Sequence, residues 1–279
     1  MYPLCSGQLD EIAPAVRRLV ARNAGFMTGP GTNTYLLGRK RFLVIDPGPL
    51  DQVHVERIIE VTEGRIDAVL ATHTHRDHSP AAQLLAAKTT AALLGRAAPQ
   101  NGPQDTTFTP TRVLSDGDIV AVDGLRLRVL HTPGHASNHL CYLIEDMGLL
   151  FTGDHLMQGS TVVIAPPDGD MQAYLASLKR LQGQPVTRLA PGHGLTIEDA
   201  PTEIERIIQH RLQREAKVIA CLASSGGGTV AELVSCVYDD VDPRLHPLAQ
   251  SSLLAHLLKL QNENRAHCHG DHWTLPVSK

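Results

Sequence analysis

The run Thr72-His73-Thr74-His75-Arg76-Asp77-His78 puts three imidazoles and a carboxylate within seven consecutive residues. Groups of this kind are costly to desolvate together unless a positive charge sits among them. The run therefore reads as a metal centre, and as a dinuclear one if further ligands exist elsewhere. It follows directly on Ile66–Ala71, a short apolar stretch of strand character. The donors thus occupy a loop after a strand, where α/β proteins carry their sites.

Other donors follow turns in the same way. Leu125–His131 leads into Thr132-Pro133-Gly134-His135, Gly148–Thr152 into Gly153-Asp154, and Arg188–Ala190 into Pro191-Gly192-His193-Gly194. Upstream, the strand pair Asn33–Leu37 and Arg41–Ile45 turns at Gly38-Arg39-Lys40 and stops at Asp46-Pro47-Gly48. Leaving Asp46 aside, the set holds five His, two Asp and no Cys. Nitrogen and oxygen donors suit zinc, manganese or iron rather than a structural Cys-type zinc site.

The intervening segments alternate helix and strand. Asp51–Thr62 has helical spacing with Asp51 as its cap, and Pro80–Ala87 reads as a helix capped by Ser79. Strands are expected at Ile119–Val122 and at His139–Glu145, the latter turning at Asp146-Met147 into Gly148–Thr152; Asp170–Gln182 is a helix. From Pro201 the character changes. Glu203–Leu222 is a long amphipathic helix, a second runs from Thr229 to about Val237, and a third spans Pro247–Asn264. A hairpin of Arg265–His269 and His272–Leu275 follows, and this order is that of a winged helix. The division expected is a metal-binding domain over 1–200 and a winged-helix-like domain over 201–279.

Bulk properties narrow the function classes. The chain has 279 residues, 42% of them hydrophobic, enough for a substantial core. A net charge of −4 gives no global basic field toward nucleic acid or anionic membrane. The five cysteines are scattered, odd in number and without a CxxC pair, so reduced thiols are expected. No signal-like N-terminus occurs and no apolar run approaches the ~18–20 residues that span a bilayer, so a cytoplasmic protein with no membrane partner is expected.

HTHRDH followed by His135, Asp154 and His193, with Leu43-Val44-Ile45-Asp46-Pro47-Gly48 before it, resembles the metallo-β-lactamase superfamily. The resemblance implies an αββα four-layer sandwich of class α+β. It implies that His73, His75 and His135 hold one divalent ion, that Asp77, His78 and His193 hold a second, and that Asp154 bridges them. Zinc is the first expectation for both ions, with manganese or iron as alternatives. Asp46 resembles a buried acid that orients the ligands, and Asp77 is the candidate catalytic proton acceptor. A dinuclear hydrolase using a metal-bridging hydroxide is the implied chemistry.

Gly31-Thr32-Asn33-Thr34-Tyr35-Leu36, Gly134-His135-Ala136-Ser137-Asn138-His139 and the C-terminal tail are similar to a subfamily that joins this fold to a winged helix, the β-lactamase-like protein 2 type. That likeness implies a phosphodiesterase, an endoribonuclease on single-stranded RNA. The alternatives are a thioester hydrolase resembling glyoxalase II, acting on a small molecule, and a non-catalytic metal- or ligand-sensing module. Arg76 stands where many relatives carry Trp, and is a candidate contact for an anionic substrate. Arg206, His210, Arg214 and Lys217 form a basic lane along the long helix or a solvated face paired with its glutamates. His267-Cys268-His269-Gly270-Asp271-His272 reads as an alternating hairpin rather than a second metal cluster. For the winged helix, packing or homodimerisation is at least as strong a reading as nucleic-acid binding.

Overall fold

Alternation along the strands decides which residues meet. In Asn33–Leu37, Tyr35 and Leu37 face one core while Leu36 faces another; Leu43 and Ile45 likewise part from Val44. Both faces of each sheet are therefore buried, and the computed structural model, which describes residues 4–276, is a four-layer sandwich.

The first sheet has seven strands in chain order: β1 (Leu9–Ala13), β2 (Val16–Val20), β3 (Asn33–Leu37), β4 (Phe42–Ile45), β5 (Ile66–Leu70), β6 (Ala92–Gly95) and β7 (Arg112–Val113). β1 to β4 form an antiparallel meander. β4 to β6 run parallel, crossing over through α1 (Gln52–Thr62) and α2 (Ala81–Thr89). The second sheet has five strands, β8 (Ile119–Val122), β9 (Leu125–His131), β10 (Leu140–Ile144), β11 (Leu149–Gly153) and β12 (Arg188–Pro191), with α3 (Met171–Gln182) crossing over from β11 to β12. Tyr35, Ile45, Leu127, Tyr142 and Phe151 fill the space between the sheets. Val55, Ile58 and Leu85 cover the first sheet, and Leu178, Ile204 and Ile207 cover the second.

α4 (Ala200–Ser225) joins two cores. Its first half packs on the second sheet, and Val218, Cys221 and Leu222 of its second half enter a separate core with α5 (Val230–Val237) and α6 (His246–Asn262). Thr229 and Glu232 close a capping box on α5. The wing is β13 (His267–His269) with β14 (His272–Thr274), anchored by buried Trp273. No helix among the described residues is long and apolar enough to cross a membrane.

Several expectations are corrected. The strands β1, β2, β6 and β7 are not legible in the sequence, because they are short and β2 carries Arg17 and Arg18. Arg18 is nonetheless buried, paired with Asp10 at 3.0 Å. Ser79 does not cap α2; its hydroxyl donates to Asp105 Oδ2 at 2.6 Å, and Pro80 holds the cap position without a side-chain bond.

The expectation of reduced thiols also fails: Cys221 and Cys236 form a disulfide. They are 15 residues apart, and the chain folds back at Gly226-Gly227-Gly228, bringing their Cα atoms to 6.2 Å. The cysteine argument for a reducing compartment goes with it. Alkylation without reductant, followed by digestion and mass analysis, is expected to recover the Cys221 and Cys236 peptides linked and Cys141 labelled only after unfolding, since Cys141 is buried.

Candidate metal centre

Five loops converge at one edge of the sandwich, those after β4, β5, β9, β11 and β12. They bring all seven sequence-predicted donors together in two clusters. One is His73, His75 and His135; the other is Asp77, His78, Asp154 and His193. In the first, His73 Nε2 and His135 Nε2 each lie 3.0 Å from His75 Nδ1. In the second, Asp154 Oδ1 is 3.4 Å from the Nε2 atoms of both His78 and His193, and Asp77 Oδ2 is 3.2 Å from His193 Nε2. The other oxygen of Asp154 lies 3.8 Å from His135 Nε2, so this one carboxylate reaches both clusters.

The hydrogen bonds behind the rings set their tautomers. Thr72 Oγ1 donates its proton to Asp46 Oδ2, so at its 3.0 Å contact with His73 it must accept from Nδ1. The Nδ1 of His135 faces the Val163 carbonyl at 2.8 Å, that of His78 faces Asp46 Oδ2 at 2.9 Å, and that of His193 faces the Gly31 carbonyl at 3.3 Å. All four oxygens accept there, so in each ring Nδ1 carries a hydrogen and Nε2 is the atom turned inward, where a bound cation would take its lone pair in place of a proton. This is how proteins orient imidazole toward a metal.

The atoms left over converge. His78 Nε2, His193 Nε2 and Asp154 Oδ1 are buried without a hydrogen-bond partner. The chain also leaves room there: a Cβ on Gly192 would lie 2.7 Å from Asp154 Oδ1 and 2.8 Å from His78 Cε1. Inward lone pairs, orphaned donor atoms and a glycine kept clear are the features expected of residues that hold cations.

The electrostatics divide along the same line. Burial and the neighbouring rings of His78 and His75 push His73 well below the ordinary imidazole range, and burial with His135 pushes His75 down to about 3. Burial would lower His78 too, but Asp77, Asp154 and Asp46 outweigh it and hold it well above its usual value. Asp154 is the converse case. Burial would raise it, yet His193, His78 and His135 keep it well below the carboxylate range. The second cluster carries the carboxylates and the first carries only imidazoles.

Asp46, buried after β4, accepts from Thr72 N at 2.7 Å, Thr72 Oγ1 at 2.7 Å and His78 Nδ1 at 2.9 Å. The Gly31–Leu36 motif has a comparable role. Asn33 Nδ2 donates to the carbonyls of Pro191 (2.9 Å) and Gly194 (2.8 Å), and the Tyr35 hydroxyl donates to Pro191 (2.7 Å). The motif lashes the loop that carries His193. Asn138 Nδ2 donates to Thr74 Oγ1 at 2.8 Å and so ties the His135 loop to the His73–His78 run. His139, unassigned in the sequence, stacks on His73 with ring centroids 5.1 Å apart. Its position four residues after His135 was the only signal.

Arg76 is exposed at the rim of a cavity of about 520 Å³ that opens on His75, Asp77, His135 and Asp154. The other walls are largely apolar: Met27, Pro49, Met157, Val162, Val163 and Leu248. None of these was singled out in the sequence. The basic lane does not form. Arg206 pairs with Glu203, Arg214 with Asp240 and Lys217 with Asp239. Lys259 and Arg265 of the winged helix both pair with Glu215. His267, His269, Asp271 and His272 lie exposed on the wing and join no ligand group among the described residues.

A family model described as the Metallo-beta-lactamase superfamily matches residues 27–193, and one described as the Beta-lactamase associated winged helix domain matches residues 229–273. A protein of Aspergillus chevalieri named Atrochrysone carboxyl ACP thioesterase is 34% identical, over 88% of this chain and 82% of its own. The Beta-lactamase-like protein 2 homolog of Drosophila melanogaster is 31% identical, over 92% of this chain and 91% of its own. The crystal structure of a Beta-lactamase domain protein from Burkholderia ambifaria superposes with a TM-score of 0.82 at 22% identity, covering 99% of this chain and 95% of that one. At that identity the likeness concerns the fold.

Proposed function

Because the chain belongs to the metallo-β-lactamase superfamily of hydrolases and carries the associated winged helix domain, we propose that it hydrolyses an acyl thioester at a two-metal centre. His73, His75 and His135 would hold one divalent ion, Asp77, His78 and His193 the other, and Asp154 both. When bound, the ions supply Lewis acidity and lower the pKa of water toward neutrality. In the reaction a C–O bond to water forms, the C–S bond breaks, and carboxylate, thiol and proton result. Asp77, partly exposed at the cavity, is placed to take the proton.

The observation that carries this reading is the cavity. About 520 Å³ with apolar walls suits the acyl part of a small substrate. A groove for single-stranded RNA needs cations along the backbone and exposed aromatic platforms. Apart from the clustered histidines, Arg76 is the only basic residue among those lining this cavity, and the lane that would have extended it is paired off. The leaving group agrees. Apart from the clustered donors, the wall offers as ionisable groups only Arg76 and Asp168, and Asp168 accepts hydrogen bonds from Gln104 and Ser137. A thiolate with an ordinary pKa near ~8.5 departs without a proton donor, whereas a ribose alkoxide does not. The thioesterase name of one relative supports the same choice, so the RNA reading gives way to the thioester alternative.

The test is a paired assay on the metal-loaded protein, with acyl-N-acetylcysteamine thioesters in one arm and labelled single-stranded RNA in the other. Thioester turnover without RNA cleavage is expected. RNA cleavage that vanishes in Asp154→Ala, with no thioester turnover, overturns the proposal.

A further inference from the structure

A second cavity, about 250 Å³, lies where the sandwich meets the winged helix. Met27, Met157, Val162, Val163 and Leu248 line both it and the metal-facing cavity, so the two adjoin along a shared apolar lining. Away from the shared residues the lining changes. Three residues there carry buried polar atoms without a partner: Tyr238 Oη, Arg211 Nε and His210 Nδ1. Tyr238 is only 7% exposed and Arg211 only 3%.

Burial raises the Tyr238 phenol, which is therefore a hydroxyl at neutral pH. Burial and the adjacent Arg211 and Arg214 bring His210 down to about 4, so its ring is neutral. The Arg211 Nε–H can only donate. The recess also holds Ser160, Thr161, Ser252 and Arg214, the last paired with Asp240, and its orphaned polar atoms call for an acceptor oxygen on whatever fills it.

The winged helix supplies one side of this recess. Leu248, Ala249 and Ser252 of α6 line it, and Ser252 Oγ accepts from the Ile164 amide at 3.3 Å. Ala255, one turn further on, is buried in the core of the second sheet. α6 is the helix that reads the major groove in nucleic-acid-binding winged helices. Here Ser252, Ala255, His256 and Lys259 are buried.

We propose that this cavity is a subsite for the far, oxygen-bearing end of the acyl group, and that α6 acts as a wall of the substrate site rather than as a nucleic-acid reader. A long acyl chain would lie along Met157, Val162, Val163 and Leu248, with its terminal oxygen at Tyr238 and Arg211. The proposal rests on the thioester reading above. It adds where the acyl group ends and which residues select it.

Three N-acetylcysteamine thioesters test it: acetyl, dodecanoyl and ω-hydroxydodecanoyl. In Tyr238→Phe the kcat/KM ratio of ω-hydroxydodecanoyl over dodecanoyl is expected to fall about three- to tenfold, the worth of one hydrogen bond. In Ala249→Trp, which fills the recess, the ratio of either long thioester over acetyl is expected to fall by at least about tenfold. Calorimetric binding of ω-hydroxydodecanoate against dodecanoate gives a readout without turnover, and circular dichroism checks that both variants fold. Turnover with both ratios unchanged overturns the subsite and leaves the thioesterase standing. Selective ω-hydroxydodecanoate binding, lost in Tyr238→Phe, without thioester turnover upholds the recess and overturns the thioesterase.

Discussion

Asp154→Ala is expected to lose thioester hydrolysis by on the order of a thousandfold or more in kcat/KM, since the loss of charge stabilisation at a metal site is worth several kcal/mol. One oxygen of Asp154 lies 3.4 Å from two imidazole nitrogens of the second cluster, and the other reaches toward His135 in the first. Among the described residues no other carboxylate lies within ion-pair distance of histidines of both clusters. Its removal leaves His78 Nε2 and His193 Nε2 facing each other across an apolar methyl, with fewer negative charges to balance two cations. Metal content by mass spectrometry should fall from two ions per chain toward one or none while the far-ultraviolet spectrum stays native. A variant that keeps both ions and wild-type turnover would remove Asp154 from the centre.

The second large effect is expected at Asp46, which touches neither cluster's inward face. Asp46→Ala strands three buried donors, Thr72 N, Thr72 Oγ1 and His78 Nδ1. At about 1–3 kcal/mol for each unsatisfied buried donor, several kcal/mol of stability is at stake. Position 46 also has φ +50°, a conformation that Asp tolerates better than Ala. Asp46→Asn is the gentler variant: it keeps one acceptor oxygen but turns an amide N–H₂ toward a donor. It is expected to fold, with a lower urea midpoint and metal affinity reduced about 10–100-fold in chelator competition, as when an orienting partner of a metal ligand is lost. Unchanged affinity would show that the His78 ring is held by packing alone.

How much of this was legible differs from place to place. His73 to His78, His135, Asp154 and His193 could be read because metal ligands must be particular residue types and because each follows a strand. The Gly31–Leu36 motif was visible as a motif, but its purpose was not. Only the fold shows Asn33 and Tyr35 holding the loop 158 residues away that presents His193. β2 escaped notice because two arginines break its apolar pattern, and the partner of the buried Arg18, the half-buried Asp10, lies in the neighbouring strand. The disulfide was hidden by spacing, since nothing local says that α4 and α5 fold back on each other.

The amino-acid sequence by itself determined the set of candidate metal donors, and the order of the layers only through its resemblance to a known family. Ligation depends on which atoms a side chain carries, whereas the local periodicity left four strands of the first sheet unread. The tertiary structure decided the substrate class we propose. The cavity is walled by Met27, Met157, Val162 and Leu248, ordinary apolar residues brought from distant segments, and the basic lane was neutralised by partners on α4 itself and in the turn after α5. Shape and charge pairing sum over residues far apart in the chain, so they have no local signature until the chain is folded.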